Sequence, residues 1–188
     1  MGQRTCEYCG DSINLLRAGA RFCSTKHRVY ASRKSVIPAE MIAERRWVRR
    51  NARKMPLTIT GRNASSTNSE TWATYAEARK SNIGSGLGFV LGGGIGCIDL
   101  DHCFEAGKLA GWAQEIVDSC PETYMEVSPS GDGLHIFGLL PEAGGRNMRA
   151  GSRNVEFYSV GRYMTVTGER FGGSSALADL SGVVASVV

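Results

Sequence analysis

The segment that most constrains the fold is an apolar run that carries two acidic residues, Ile95 to Asp101. In an extended strand, residues i and i+2 point to one face, so Asp99 and Asp101 project together while Ile98 and Leu100 face the opposite side. Two carboxylates this close repel each other unless a cation lies between them, and Mg²⁺ or Mn²⁺ prefers such hard oxygen ligands. The run therefore predicts a half-buried strand with a candidate metal site. A pair of solvated acids at the end of a strand is the alternative.

A third acidic residue has the same kind of surroundings. Glu156 lies in Val155-Glu156-Phe157-Tyr158, where its apolar neighbours predict a buried strand. An acid on such a strand costs free energy unless it is paired or bound to a metal. Glu156 is therefore predicted to complete the site of the two aspartates.

Between the two acidic strands lies a turn of small residues that ends in a histidine, Ser128 to His135. The small side chains at Ser130, Gly131 and Gly133 allow backbone N–H groups to approach a phosphate closely. His135 begins the next strand, where its ring can donate to the same anion. The alternative is an ordinary hairpin turn.

Near the N-terminus, two pairs of metal-ligand residue types are separated by a short loop. Zn²⁺ in structural sites takes four soft or borderline ligands in a tetrahedron, and two such pairs supply them. The pattern predicts a zinc module over residues 1–34, and unrelated thiols with a surface histidine are the alternative. Cys97, Cys103 and Cys120 are expected to be buried thiols, because disulfides are rare in the cytosol. The predicted zinc ligands are Cys6, Cys9, Cys23 and His27.

Charge is distributed unevenly along the chain. Residues 1–54 carry 13 Lys and Arg against 4 Asp and Glu, whereas the remainder carries 9 against 14. Residues 35–55 are predicted to form a basic helical linker from Ala39 onward, whose arginines share one face and meet a polyanion. A solvated helix face is the alternative. No apolar run is long enough to cross a bilayer and no apolar leader follows Met1, so the chain is expected to be cytoplasmic. The arginines of this predicted face are Arg45, Arg46, Arg49, Arg50 and Arg53.

From residue 56 onward, helical and extended patterns are mixed, and residues 56–188 are predicted to be a catalytic domain. Helices are predicted from Ser69 or Thr71 to about Lys80, from Glu105 to Ser119, and within the tail from Ser174 to Val188. Apolar or alternating segments predict strands over residues 87–91, 95–100, 124–127, 134–140, 155–158 and 163–167.

The order of these motifs resembles a known family. Asp-x-Asp, then Ser-Gly-x-Gly-x-His, then an apolar residue followed by an acid are similar to the three motifs of the archaeo-eukaryotic primase superfamily. Among its members, the chain most resembles the bifunctional primase-polymerase domain of phage and plasmid replication proteins. Further support comes from Lys54-Met55-Pro56, Thr71-Trp72 and the segment from Arg162 to Gly168.

The resemblance implies an α+β fold, in which an RRM-like sheet carries the acids and packs against a smaller α/β subdomain. It also implies that Asp99, Asp101 and Glu156 bind two divalent cations, Mg²⁺ or Mn²⁺. The triphosphate of an incoming nucleotide would be held by His135, Ser130, Gly131 and Gly133, with Arg162 and Lys54 as further phosphate ligands.

The function implied by the resemblance is template-directed nucleotidyl transfer by a two-metal mechanism in phage or plasmid replication. The implied partners are single-stranded or primed DNA, NTPs or dNTPs, and a separate replicative helicase, in the host cytoplasm and without a membrane. One alternative is a catalytically inactive primase fold that binds nucleic acid through its zinc finger. Another is a haloacid-dehalogenase-like phosphatase, but here the Asp-x-Asp motif lies in mid-chain and is followed by His102.

Overall fold

A computed structural model describes residues 4, 6, 12–25, 37–151, 153–172 and 174–187. The chain divides into two compact units, Met1–Val36 and Ile37–Val188. In the first unit, Cys6 and Ile13 are buried, and the Ile13 N–H donates to the carbonyl of Arg4.

The second unit contains eleven described strands and four described helices. The helices are α1 (Ala39–Ala43), α2 (Tyr75–Lys80), α3 (Gly111–Ser119) and α4 (Ser181–Val187), with one 3₁₀ turn at Ser69–Thr71. The strands are β1 (Trp47–Arg50), β2 (Pro56–Leu57), β3 (Gly86–Val90), β4 (Ile95–Asp101), β5 (Phe104–Glu105), β6 (Lys108–Leu109), β7 (Met125–Val127), β8 (Leu134–Leu139), β9 (Arg146–Ala150), β10 (Arg153–Tyr158) and β11 (Tyr163–Val166).

The strands form three antiparallel sheets. The four-stranded sheet has the order β11-β3-β1-β2, and the five-stranded sheet has the order β7-β8-β4-β10-β9. Strands β5 and β6 form a separate hairpin. Strand β4 is therefore the centre of the larger sheet, with a neighbour on both sides.

From Ile98 to Asp101, buried and half-buried residues alternate along β4, and the two faces of the strand contact different cores. Ile98 and Leu100 belong to a cluster that includes Ile116 of α3 and Val183 of α4. Cys97, on the other face, belongs to a cluster with Phe89 of β3 and further residues of the four-stranded sheet. The alternation that buries Ile98 and Leu100 against helices turns Asp99 and Asp101 to the opposite face, as the sequence predicted.

The mixture of helices and antiparallel sheets confirms the α+β class, and each of the six predicted strands is present. The helix predicted from Glu105 begins only at Gly111, because β5 and β6 precede it around Ala106 and Gly107, whose φ angles are 48° and 77°. The helix predicted from Ser69 or Thr71 begins at Tyr75, where Thr74 and Glu77 form a reciprocal capping box.

The basic helix predicted within residues 35–55 is wrong beyond Ala43. Helix α1 ends there, and Trp47–Arg50 is strand β1, paired with β3. The reason is that Trp47 and Val48 are buried, and the Trp47 indole donates to the Met41 carbonyl at 2.9 Å. An exposed helix would have left this apolar pair in water. The arginines therefore do not share a helical face.

Close packing explains one glycine of the larger sheet. A Cβ added to Gly138 of β8 would lie 2.4 Å from the side chain of Leu180, which is fully buried just before α4. The missing side chain is what lets the start of α4 dock on the sheet. None of the described helices has the length and apolar composition that crossing a bilayer requires.

Candidate functional site

Five polar residues form one row across the larger sheet. Asp99 of β4 is paired with His135 of β8 on one side and with Glu156 of β10 on the other. Glu126 of β7 continues the row beyond His135, and Asn147 of β9 continues it beyond Glu156. Because directly opposed residues present their side chains on the same face, one polar side chain from each strand meets its neighbours there.

Two acids of this row, Asp99 and Glu156, lie close to a third, Asp101, which is two residues farther along β4. One carboxylate oxygen from each of Asp99, Asp101 and Glu156 lies within 4.8 Å of the other two. Asp99 Oδ1 is buried and accepts no hydrogen bond from the described residues. A buried carboxylate oxygen without a hydrogen-bond partner is costly, and an all-oxygen set of ligands suits a hard divalent cation. The residues present therefore fit Mg²⁺ or Mn²⁺.

The electrostatics of Asp99 agree with that fit. Burial raises the pKa of Asp99 to about 6, and the charges of Asp101 and Glu156 act in the same direction, whereas His135 and Lys54 lower it. In the absence of a cation, the folded protein therefore pays a free-energy penalty to hold Asp99 ionised at neutral pH.

We expect Asp99→Asn to stabilise the metal-free protein at about pH 8. The rise in the Asp99 pKa from 3.8 to about 6 corresponds to a penalty on the order of 3 kcal/mol, which the neutral amide removes. Urea denaturation in the presence of a chelator measures the gain in the free energy of unfolding. Below about pH 4 the gain should vanish, because the Asp99 carboxyl is then protonated in both the folded and the unfolded states.

The control for this prediction is Glu115→Gln, at an exposed position on α3, which should change the stability little at either pH. An Asp99→Asn protein that is less stable than wild type at about pH 8 would show that the ionised Asp99 carboxylate does not destabilise the folded state.

His135 is held between two carboxylates. It is buried, its Nδ1 lies 3.3 Å from Glu126 Oε1, and its Nε2 lies 3.7 Å from Asp99 Oδ1. Burial lowers the pKa of His135, but the hydrogen bond to Glu126 and the charge of Asp99 outweigh it, so the pKa lies above its ordinary value. Because a carboxylate can only accept, Nδ1 carries a proton and Nε2 faces the three acids.

Glu126 is itself fixed in place. Its side chain is fully buried and accepts from the Tyr124 hydroxyl at 2.8 Å. The backbone N–H groups of Thr167 and Gly168 donate to its two oxygens at 3.0 and 2.9 Å. These bonds orient its carboxylate toward His135.

Hydrogen-bond donors also surround the carboxylate of Glu156. The Asn147 amide donates to Oε1, and the Tyr158 hydroxyl donates to Oε2 at 2.7 Å. Arg162 lies 3.6 Å from Oε2 and stacks on the Tyr158 ring at 4.4 Å. About half of the Arg162 side chain remains exposed, so it is accessible to an anion at the site.

The turn of small residues lies beside the end of β4. Gly131 has a φ of 83°, and its N–H donates to the Ser128 carbonyl at 3.0 Å. The Ser130 hydroxyl contacts the Ser128 hydroxyl at 2.9 Å and donates to the Asp132 carboxylate. A Cβ added to Gly133 would lie 2.9 Å from the Leu100 carbonyl oxygen. Glycine is therefore what lets the turn lie against β4.

The same turn is tied to the residues that follow Asp101. Asp132 lies 2.7 Å from His102 Nδ1, and its carbonyl accepts the Cys103 N–H at 2.8 Å. The turn is thereby held next to the acidic end of β4. A role of Ser130, Gly131 and Gly133 in binding phosphate stays a prediction.

Lys54 belongs to the same electrostatic neighbourhood. It has a left-handed backbone with a φ of 59°, and its carbonyl accepts the Tyr163 hydroxyl. Its charge lowers the pKa of both Asp99 and His135. Lys54, Arg162 and His135 together therefore supply positive charge around the three acids.

Sequence reasoning missed several residues of the site. Glu126 gives the same signal as Glu156, an acid between apolar residues on a predicted strand, and could have been found. Tyr158, two residues after Glu156 on the same predicted strand, could also have been placed beside it. Asn147 and Asn154 carry no such signal, because only the strand register brings them to the acids.

Only two of the four predicted zinc ligands lie among the described residues. Cys6 is buried, and its Sγ accepts the N–H of Cys23 at 3.3 Å. Cys9 and His27 lie outside the described residues. The zinc site therefore stays a prediction.

Comparisons with known proteins converge on one family. Residues 27–178 match the family described as bifunctional DNA primase/polymerase, N-terminal. Over 145 residues, the chain is 35% identical to a protein of Nitratiruptor phage NrS-1 named DNA Primase-polymerase. The alignment covers 71% of this chain and 20% of the phage protein, so the chain spans about a fifth of that relative.

Proposed function

Since the chain belongs to the bifunctional DNA primase/polymerase family, we propose that it catalyses template-directed transfer of nucleotides from NTPs or dNTPs. The observation that carries the proposal is the approach of Asp99, Asp101 and Glu156 to within 4.8 Å of one another. His135, buried against Asp99, adds a donor for phosphate to the same site.

In this mechanism the three acids hold the divalent cations. Bound there, Mg²⁺ or Mn²⁺ would supply activation of the attacking 3′-hydroxyl and neutralisation of charge on the leaving pyrophosphate. The amide of Asn154 donates to Asp101 Oδ2 at 2.8 Å, and that of Asn147 donates to Glu156. Each amide orients a carboxylate, as donors around metal ligands commonly do.

The remaining groups of the site bind and orient the triphosphate. Glu126 holds Nδ1 of His135, which leaves Nε2 available to a phosphate oxygen near Asp99. Arg162 contributes a guanidinium from the Tyr158 end of β10, and Lys54 contributes an ammonium group. The turn of Ser130, Gly131 and Gly133 lies at the Asp101 end of β4, where its small residues would let backbone N–H groups approach a phosphate.

We expect His135→Ala to raise the KM for the nucleotide about 10–100-fold, because a hydrogen bond to a charged phosphate contributes about 1.5–3 kcal/mol. The affinity for DNA should stay unchanged. Steady-state titration of the nucleotide gives the KM, and fluorescence anisotropy with a labelled template gives the affinity for DNA. An unchanged KM, or an equal loss in both measurements, would contradict this role.

The function itself is tested by incorporation of labelled nucleotides on a single-stranded template, without and with an annealed primer. NTPs and dNTPs are compared in Mg²⁺ and in Mn²⁺. We expect metal-dependent extension of the primer. Tight DNA binding without incorporation under every condition would instead support a catalytically inactive, nucleic-acid-binding member of the family.

We further propose that residues 1–34 form a structural zinc module with Cys6, Cys9, Cys23 and His27 as ligands. The hydrogen bond from the Cys23 N–H to the Cys6 sulfur supports the zinc site, because such bonds orient thiolate ligands. The basic residues of this segment suit contact with single-stranded or primed DNA. In this account the acids lie on an RRM-like sheet, and a separate replicative helicase opens the duplex.

A further inference from the structure

The β9–β10 hairpin carries positive charge that the proposed mechanism does not use. All five residues of β9 are exposed, at the edge of the five-stranded sheet. Residues 143–155 contain Arg146, Arg149 and Arg153 and no acidic residue. Charge on an edge strand hinders pairing with other chains, but that purpose does not require a single sign. A strand edge with only positive charge suits a polyanion.

The register places one of these arginines beside the acids. Arg149 is paired with Asn154, and Asn154 is paired with Asp101, which makes a second polar row next to the first. Arg149 Nε donates to Asn154 Oδ1 at 3.1 Å, and Asn154 Nδ2 donates to Asp101 Oδ2 at 2.8 Å. One side chain therefore separates the Arg149 guanidinium from a proposed metal ligand. Its two Nη atoms have no partner among the described residues.

We propose that this hairpin binds the phosphate backbone of the DNA strand whose end reaches the three acids. Arg149 contacts the phosphate nearest the acids, and Arg146 and Arg153, on the other face of the hairpin, contribute long-range electrostatic attraction. This inference rests on the proposed function, because that function is what brings a DNA end to the acids.

The arrangement of charges favours a DNA strand over the triphosphate of a nucleotide. Arg162 lies at the Tyr158 end of β10, whereas Arg149 is paired with Asn154 near the opposite end. The acids lie between these two arginines. Arg149 lies on the same face of the sheet as Asn147 and the acids, whereas Arg146 and Arg153 lie on the opposite face. Arg149 is therefore the direct contact near the acids, and Arg146 and Arg153 add long-range attraction at the edge of the sheet.

The test is the salt dependence of DNA binding by the full chain. Arg149→Gln with Arg153→Gln should weaken binding of a labelled primed template about tenfold and reduce the slope of log Kd against log salt by roughly 1 to 2, mostly through Arg149. Arg149→Lys with Arg153 intact should retain most of the slope, because it keeps the charge. Arg79→Gln, at an exposed position on α2, is the matched control and should change neither quantity.

The possible outcomes separate this inference from the proposed function. An unchanged affinity and slope in the double variant would overturn the inference. A raised KM for the nucleotide with unchanged DNA binding would also overturn it, by assigning these arginines to the triphosphate. DNA binding is measured without catalysis. If the wild-type chain incorporated no nucleotide but the double variant still lost DNA affinity, the DNA-binding role of the hairpin would be supported and the proposed activity would be refuted.

Discussion

Replacing Asp99 by alanine is expected to lower the rate of nucleotide incorporation about 10³-fold or more. Divalent cations supply several kcal/mol of transition-state stabilisation in phosphoryl transfer, and each 1.36 kcal/mol is about tenfold in rate. Asp99 is the acid at the centre of the site, with a buried oxygen that accepts no hydrogen bond from the described residues. Single-turnover extension of a labelled primer measures the loss.

Two further variants make this result specific. Glu156→Gln should lose activity to a similar extent, because it removes another carboxylate of the same group. Asp118→Asn, at an exposed position on α3, is the matched control and should retain full activity. Asp99→Asn should be inactive and yet more stable without metal, which separates loss of chemistry from loss of folding. Substantial activity in Asp99→Ala would contradict the assignment.

The second large effect is expected in stability. Glu126→Ala should lower the free energy of unfolding by about 3–5 kcal/mol, because it leaves several buried donors without their acceptor. These donors are His135 Nδ1, the Tyr124 hydroxyl and the N–H groups of Thr167 and Gly168. Urea denaturation monitored by circular dichroism measures the change.

Variants that keep the shape distinguish the two roles of Glu126. Glu126→Gln retains one acceptor oxygen, so it should lose less stability while still raising the KM for the nucleotide through a misplaced His135. Glu169→Ala, an exposed acid close in sequence to Gly168, should change the stability by less than about 0.5 kcal/mol. A loss of under about 1 kcal/mol in Glu126→Ala would show that its hydrogen bonds are easily replaced by water.

The strand that carries the two aspartates was predictable because its pattern is local. Ile98 and Leu100 alternate with Asp99 and Asp101, and such alternation is typical of a β-strand with one apolar and one polar face. Glu156 was predictable for the same reason. What the pattern could not give is the register, by which Glu156 lies opposite Asp99 and the strand of His135 lies on the other side.

The errors and omissions also have physical causes. A run rich in arginine suggested a helix, but the segment is a strand that buries Trp47 and Val48. The free energy of burying these two side chains outweighs helical propensity. Strand β9 was missed because an exposed edge strand needs no apolar alternation. Its residues Asn147 and Arg149 meet the site only through pairing with β10.

The most direct test of the central claim is anomalous diffraction from crystals grown with Mn²⁺ and a non-hydrolysable nucleoside triphosphate. We expect Mn²⁺ peaks in contact with carboxylate oxygens of Asp99, Asp101 and Glu156, and the triphosphate next to Nε2 of His135. Mn²⁺ and nucleotide bound elsewhere, or a Glu156 carboxylate turned away from both aspartates, would contradict it.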